Sequence, residues 1–306
     1  MRFLITGADG QLGFELQRSA PSHAELLALD VADLDITDRA AVQYVLAAFT
    51  PAVVFNAAAY TAVDRAESEP ESAFAVNADG ARNIAQTVAD FGARVVHVST
   101  DFVFDGTSSR PYLPTDAPRP IGVYGRSKLA GEQAMLSIAG ERAAVVRTAW
   151  LYSSYGANFV KTMLRLLAER DVVRVVADQV GTPTSGAGLA RALWAIAAQP
   201  TLHGVFHWTD AGVASWYDFA VAIGEDASAL GLLERAAPVL PIRTQDYPTP
   251  AQRPAYSVLD KTASWTALGV QPRHWRVALR TVLEEMKADV PKETDDLTAP
   301  RCVEKP

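Results

Sequence analysis

The chain has 306 residues, of which 49% are hydrophobic and 21% charged, and a formal net charge of −7. That composition suits a globular protein of one large or two modest domains. The acidic balance without a long basic run argues against a nucleic-acid partner, and no apolar run reaches the roughly 18 residues of a membrane helix. The single cysteine, Cys302, rules out an intrachain disulfide framework. With an apolar first strand and no cleavable signal pattern, the expectation is a cytoplasmic protein.

Arg2 to Thr6 is a short apolar run that ends in Gly7-Ala8-Asp9-Gly10-Gln11-Leu12-Gly13. It predicts a strand, a tight turn and a helix. Missing side chains there let backbone N–H groups and a helix N-terminus approach a pyrophosphate. Leu26 to Leu29 predicts a second strand, with Asp30 at its tip to accept the ribose hydroxyls of an adenosine. Asp30 repels a 2′-phosphate, and no Arg or Lys follows through Asp35. NADH is therefore at least as suitable as NADPH.

Arg39 to Phe49 has helical spacing, and Ala52 to Phe55 reads as a buried strand running into Asn56-Ala57-Ala58-Ala59-Tyr60. Small residues after a parallel strand let a ligand lie against the backbone. Thr61 to Pro70 is a polar loop, with Glu67, Glu69 and Glu71 read as a solvated face. Ser72 to Phe91 is a long helical pattern, and Asn77 within it is read as a buried amide bonding a neighbouring strand.

Val95 to Ser99 predicts the fourth strand, and Thr100 stands at its tip. Phe102 to Val123 holds four prolines and two glycines, so it reads as a long binding loop. Tyr124 to Ile138 is helical, and Tyr124 and Lys128 share one face of it. A phenol aimed at a carbonyl is a proton donor whose ordinary pKa near 10 is high for work at neutral pH. A lysine beside it is expected to lower that value, and Thr100 adds a hydroxyl. Ala144 to Arg147 is the fifth strand. Alternating strand and helix over 1–147 implies an α/β fold, a doubly wound parallel sheet of Rossmann type covered on both faces.

The pattern changes after Thr148. Helices are expected over Asn158 to Arg170, Gly188 to Ala198, Trp216 to Glu225, Lys261 to Leu268 and Arg276 to Lys287, with strands at Arg174 to Ala177 and Gly204 to Trp208. This gives a smaller C-terminal α/β substrate domain over 148–287, with segments of about 158–207 returning to the Rossmann sheet. Pro238 to Pro254 carries five prolines and is expected to be an irregular loop over a ligand. Residues 288–306 are polar and expected to be disordered. The five histidines are scattered without ligand spacing, so no metal site is expected.

Taken together, Gly7, Gly10 and Gly13, Asn56-Ala57-Ala58, Thr100, Tyr124 and Lys128 resemble the extended short-chain dehydrogenase/reductase superfamily. The 24-residue separation of Thr100 and Tyr124 matches its usual spacing. Within it the chain is most similar to the dTDP-4-dehydrorhamnose reductases. Their segments match at Ser99-Thr100-Asp101-x-Val103-Phe104-Asp105-Gly106, at Val123-Tyr124-Gly125-x-Ser127-Lys128-Leu129-Ala130-Gly131-Glu132 and at Tyr247-Pro248-Thr249-Pro250-Ala251-x-Arg253-Pro254, and the likeness runs over about residues 1–287. The resemblance implies reduction of the C4 ketone of dTDP-4-dehydro-L-rhamnose by NADPH or NADH. Its catalytic residues would be Thr100, Tyr124 and Lys128. Gly7, Gly10, Gln11, Leu12, Asp30, Asp35, Ala57, Ala58 and Tyr60, with Tyr124 and Lys128, would hold the cofactor. Thr61, Thr100, Trp150, Asn158 and Arg253 would meet the substrate, Arg253 at the diphosphate.

Some members are dimers bridged by Mg²⁺ on interface glutamates. Glu15 and Glu285 stand at two of those positions, while the third falls on Ala187. A hard divalent cation wants several oxygens, so a monomer or weak homodimer without a bridging metal is expected. Two other readings stay open: a nucleotide-sugar ketoreductase of different stereochemistry, and a reductase-like regulatory subunit without catalysis.

Overall fold

Short runs rich in valine, leucine and isoleucine, each leading into a helix or loop, build a parallel sheet in the computed structural model, which describes residues 1–271 and 273–288. The strands are β1 (Arg2–Thr6), β2 (Glu25–Leu29), β3 (Val53–Asn56), β4 (Arg94–Thr100), β5 (Ala143–Thr148) and β6 (Gly204–His207). Their spatial order is 2-1-3-4-5-6, and every pairing is parallel. The order reverses between β1 and β3, where ligands of such sheets bind at the carboxyl ends. The doubly wound architecture read from the sequence is present.

The helices of seven or more residues are α1 (Gln11–Arg18), α2 (Arg39–Phe49), α3 (Ala81–Phe91), α4 (Val123–Ala134), α5 (Phe159–Glu169), α6 (Gly186–Ala197), α7 (Trp216–Ala229), α8 (Thr262–Leu268) and α9 (Trp275–Ala288). Short helical turns at Val63–Ala66 and Pro70–Phe74 correct the reading of Thr61 to Pro70 as wholly loop. One face of the sheet buries Phe3, Ile5, Val53, Phe55, Val96 and Val146 against α1 and α6. The other buries Leu4, Val54, Val95 and Val145 against α2, α3 and the turn Met135–Ala139. Strands covered on both faces read as continuous apolar runs, as these do.

A second core lies outside the sheet. It joins α5, α7 and α9 through Val160, Met163, Leu167, Phe219, Ile223, Leu279 and Leu283. Val173–Val176 and Val239–Ile242 form a two-stranded parallel ladder beside it. That ladder corrects the reading of Pro238 to Pro254 as wholly irregular. Pro241 sits in a two-stranded pair, whose outer edge asks nothing of the N–H that proline lacks.

Asn77 departs from its expectation as well. It lies in a π-helical turn, Ala75–Gly80, ahead of α3, and it bonds no strand. Its Oδ1 accepts from Tyr60 N (2.9 Å), and its Nδ2 donates to Tyr60 O and to Ser127 Oγ (both 3.0 Å). The amide thus clamps the loop after β3 onto α4. The expected disordered tail falls outside the described residues apart from Ala288, the last residue of α9.

Candidate active site

The carboxyl ends of β1 to β5 open into a cavity of about 990 Å³. At one end is the turn after β1. Gly7 has φ +69°, and a Cβ on it would stand 2.7 Å from Ala58 N, so only glycine lets β1 and the β3 loop approach this closely. Gly10, Gln11 and Leu12 open α1 toward the cavity, whose wall also holds Ala57, Ala58, Tyr60 and Thr61. Asp30 lines the wall at the tip of β2. Asp35 lines it too, but its Oδ1 is taken by the N–H and hydroxyl of Thr37, both at 2.8 Å.

Thr100, Tyr124 and Lys128 come together on the same wall. Thr100 Oγ1 accepts from Phe102 N at 3.2 Å and donates to Asp101 Oδ1 at 3.1 Å. Lys128 Nζ donates to Val98 O at 2.7 Å, and burial draws its pKa down to about 8. The Tyr124 phenol is pushed up to about 12. Burial is the main cause, the Asp101 carboxyl adds to it, and the Thr100 hydroxyl opposes it. The expectation that Lys128 depresses Tyr124 is therefore corrected. The ammonium is aimed at a β4 carbonyl and is not among the groups acting on the phenol, so burial decides the sign. At neutral pH Tyr124 carries its proton.

Helix α4, which carries Tyr124 and Lys128, is anchored from three directions. Glu67 Oε1 accepts from Val123 N at 2.8 Å, satisfying a free donor of its first turn. The acidic stretch is thus no plain solvated face: Glu67 caps α4, and Glu69 accepts from Tyr60 Oη at 2.7 Å. Asn77 holds Ser127. At the far end Glu132 pairs with Arg147 of β5 (Nη2–Oε2 2.7 Å), both buried, and takes the Ser99 hydroxyl. Tyr124, Lys128 and Glu132 recur every four residues, so one helix face carries all three.

A second cavity of about 590 Å³ adjoins the first, and Trp216 and Arg253 line both. Arg253 makes a two-pronged pair with Asp64 (Nη1–Oδ1 3.0 Å, Nη2–Oδ2 2.8 Å), which holds its guanidinium at that junction. Trp150 lies in the wall with φ +47°, a conformation rare for a bulky side chain, and its indole stacks on Trp216 with centroids 3.5 Å apart. A Cβ on Gly181 would come within 2.7 Å of that indole, so glycine makes room for it. Asn158 lines the larger cavity while its amide caps α5 through Lys161 N and bonds Gln11 Oε1 and Ser153 O.

Sequence reasoning missed Asp101 and Trp216 as residues of the site. Asp101 follows Thr100 at the strand tip, a position that itself could have drawn notice. Trp216 follows the α7 cap Ser215, but its place between two cavities depends on contacts far along the chain.

Glu15 and Glu285 do approach one another, and the guanidinium of Arg18 lies between them (2.7 and 3.0 Å). Among the described residues no group of three or more His, Cys, Asp or Glu is arranged to hold a metal ion.

The family described as RmlD substrate binding domain matches residues 1–288. A dTDP-4-dehydrorhamnose reductase of Aggregatibacter actinomycetemcomitans is 44% identical, covering 92% of this chain and 98% of that protein. The crystal structure of such a reductase from Clostridium acetobutylicum is 40% identical with a TM-score of 0.88, over 94% of this chain and 100% of that one. One from Bacillus anthracis in complex with NADP is 38% identical with a TM-score of 0.87, over 93% and 99%. With the glycine turn, the Thr100, Tyr124 and Lys128 group and these matches in agreement over nearly the whole chain, it belongs to the dTDP-4-dehydrorhamnose reductase family.

Proposed function

We propose that the protein reduces the C4 ketone of dTDP-4-dehydro-L-rhamnose to give dTDP-L-rhamnose, with NADH or NADPH. The observation that carries this reading is the single cavity wall shared by Thr100, Tyr124 and Lys128, continuous with the Gly7 turn. The reduced nicotinamide supplies the hydride. Tyr124 supplies the proton to the ketone oxygen, and a phenol with a pKa near 12 is the protonated acid that the reductive direction needs. Thr100 steadies charge growing on that oxygen. Lys128, tied to Val98 O, holds the cofactor ribose.

Arg253 and Trp216 stand where the two cavities meet. A diphosphate on Arg253 places the sugar in the larger cavity and the nucleoside in the smaller. Asp64 keeps the guanidinium in position, and the diphosphate competes with it. Trp150 and Thr61 face the sugar, and Asn158 positions Gln11. With Arg18 between Glu15 and Glu285, the protein works as a monomer or weak homodimer without a bridging metal. No described helix is long and apolar enough to cross a membrane, which agrees with a cytoplasmic enzyme.

The test is dinucleotide oxidation with the 4-keto sugar nucleotide as substrate and identification of the sugar formed. In Tyr124→Phe, turnover should fall by at least about 10²-fold, within the range for loss of a general acid, while dinucleotide affinity stays within twofold. Turnover that survives in this variant would remove Tyr124 from the mechanism. A C4-epimeric product would change the stereochemical assignment.

A further inference from the structure

Asp101 is a buried acid in the wall of the larger cavity that the steps above leave unused. It is 2% exposed, follows Thr100 and opens the short turn Asp101–Val103. Its Oδ1 accepts from Thr100 Oγ1, and its Oδ2 is buried with no hydrogen-bond partner. A bare carboxylate oxygen away from water is unfavourable, whereas a carboxyl group that holds a proton loses much of that cost.

The bonding of Thr100 turns on that proton. A threonine hydroxyl has one hydrogen to give and two lone pairs. Phe102 N already occupies one lone pair. While Asp101 is ionised, the Thr100 hydrogen is committed to it and is withheld from a ketone. When Asp101 is protonated the bond reverses: the acid donates to Thr100 Oγ1, and the Thr100 hydrogen is free for the cavity. Thr100, Asp101 and Tyr124 line one wall of the cavity, and the Thr100 hydroxyl acts to lower the pKa of the Tyr124 phenol, so Thr100 stands between the acid it bonds and the proton donor it influences.

We propose that Asp101 is a positioning residue that turns the Thr100 hydroxyl toward the ketone and, through Thr100, restores the proton that Tyr124 gives up in each turnover. The proposal rests on the reductase reading. Hydride and the Tyr124 proton together convert the ketone to an alcohol and leave a phenolate. The Thr100 hydroxyl proton then moves to the phenolate oxygen, and the Asp101 proton moves to the Thr100 oxygen. Asp101, now a carboxylate, takes a proton from solvent once product leaves. Only O–H bonds form and break in this resupply, and no further oxidant or reductant enters.

The surroundings of Asp101 suit the task. The groups bearing on it are the Thr100 hydroxyl, which bonds Oδ1, the Ser257 hydroxyl, which acts on it without completing a hydrogen bond to Oδ2, the backbone N–H groups of Asp101 and Phe102, and the Tyr124 phenol of α4. No guanidinium or ammonium is among them. Burial pushes the acid up to about 6, so it exchanges its proton close to neutrality. Ser257 opposes that rise by favouring the carboxylate.

The experiment measures kcat against pH, the first turnover in rapid mixing, and NADH affinity by fluorescence, on the full chain and on Asp101→Asn and Ser257→Ala. The wild type should lose kcat as pH rises through an ionisation near or above 6. In Asp101→Asn that ionisation should vanish. The first turnover should keep most of its rate while later ones slow by at least tenfold, and NADH affinity should stay within twofold. Ser257→Ala should move the wild-type ionisation to higher pH, which tests the idea even if Asp101→Asn does not fold. An Asp101→Asn profile that matches the wild type, or a first turnover slowed as much as the steady state, overturns the relay; the first result would leave Lys128 as the route of resupply. If wild-type protein leaves the keto sugar unreduced, the reductase reading itself falls. Reduction with an unchanged Asp101→Asn profile removes only the role of Asp101.

Discussion

Asp30 lines the larger cavity at the tip of β2, where the proposed reading puts the cofactor, and among the described residues the only cations in that lining are Lys128 and Arg253. Lys128 hugs β4, three strands from β2 and so roughly 14 Å away at the usual strand spacing. A 2′-phosphate beside Asp30 would face a carboxylate without a compensating lysine or arginine. The expected outcome is tighter binding of NADH than NADPH by about tenfold or more, worth roughly 1.4 kcal/mol. Titration of nicotinamide fluorescence reads both constants, and Asp30→Ser should narrow the gap by strengthening NADPH. Equal affinities in the wild type would refute the argument. The place of Asp30 at a strand tip was legible in the sequence because it ends an apolar run that follows the glycine turn. The direction of the Tyr124 shift was not legible, because burial of the phenol depends on the loop after β4 and on Asp101.

At the scale of elements, α4 shows what spacing can and cannot reveal. Tyr124 and Lys128 four residues apart announce a shared helix face, and Glu132 continues it. The partners that anchor the helix come from elsewhere: Glu67 from the segment after β3, on Val123 N, Asn77 from the π turn before α3, on Ser127, and Arg147 from β5, on Glu132. Such contacts join residues 15 to 56 positions apart and leave no local pattern. The Glu132–Arg147 pair is almost wholly buried, at 1% and 4% side-chain exposure. Removal of one partner strands a charge in the interior, at a cost of about 3–5 kcal/mol. Glu132→Ala should lose that much in urea unfolding, while the double variant with both residues changed to methionine should recover most of it. A loss under about 1 kcal/mol for the single variant would show that the pair is not what holds α4 to the sheet.

For the whole molecule, buried histidines set the response to acid. His207 is drawn down to about 3, mainly by burial and then by Arg147, and His97 falls well below its ordinary value for the same leading cause and then Lys128. An unfolded chain takes up these protons near pH 6.5. Between about 6.5 and 3 the unfolded state therefore binds protons that the native state refuses, and stability falls as the pH falls. Asp101 and Asp210, pushed up to about 6 by burial, act in the opposite sense, since the native state holds their protons from about 6 down to their ordinary range. In calorimetry from pH 7 to pH 4, His207→Gln should show a shallower fall in Tm than the wild type, whatever its starting Tm. Parallel curves would remove His207 from the account. The alternation of strands and helices was readable because each strand is a continuous apolar run. Which histidines are buried was not readable, because His97 and His207 sit within strands whose covering depends on segments far away.

The two cores have a further consequence. After β5 the backbone moves from the sheet core to the outer core at Leu151 and Tyr152, returns with α6, leaves again after Trp208, comes back with α8 and departs finally into α9, five passages in all. A cleft whose walls are joined by one or two strands of chain can swing like a door about a hinge. Five separate passages fix the relative orientation of these walls, because a swing about any one of them would stretch the other four. Adjustment to a ligand is then left to sliding of packed helices by small amounts and to side chains at the seam, above all the Trp150–Trp216 stack and the Arg253–Asp64 pair. Such a molecule fits its substrate by local rearrangement on a stiff frame.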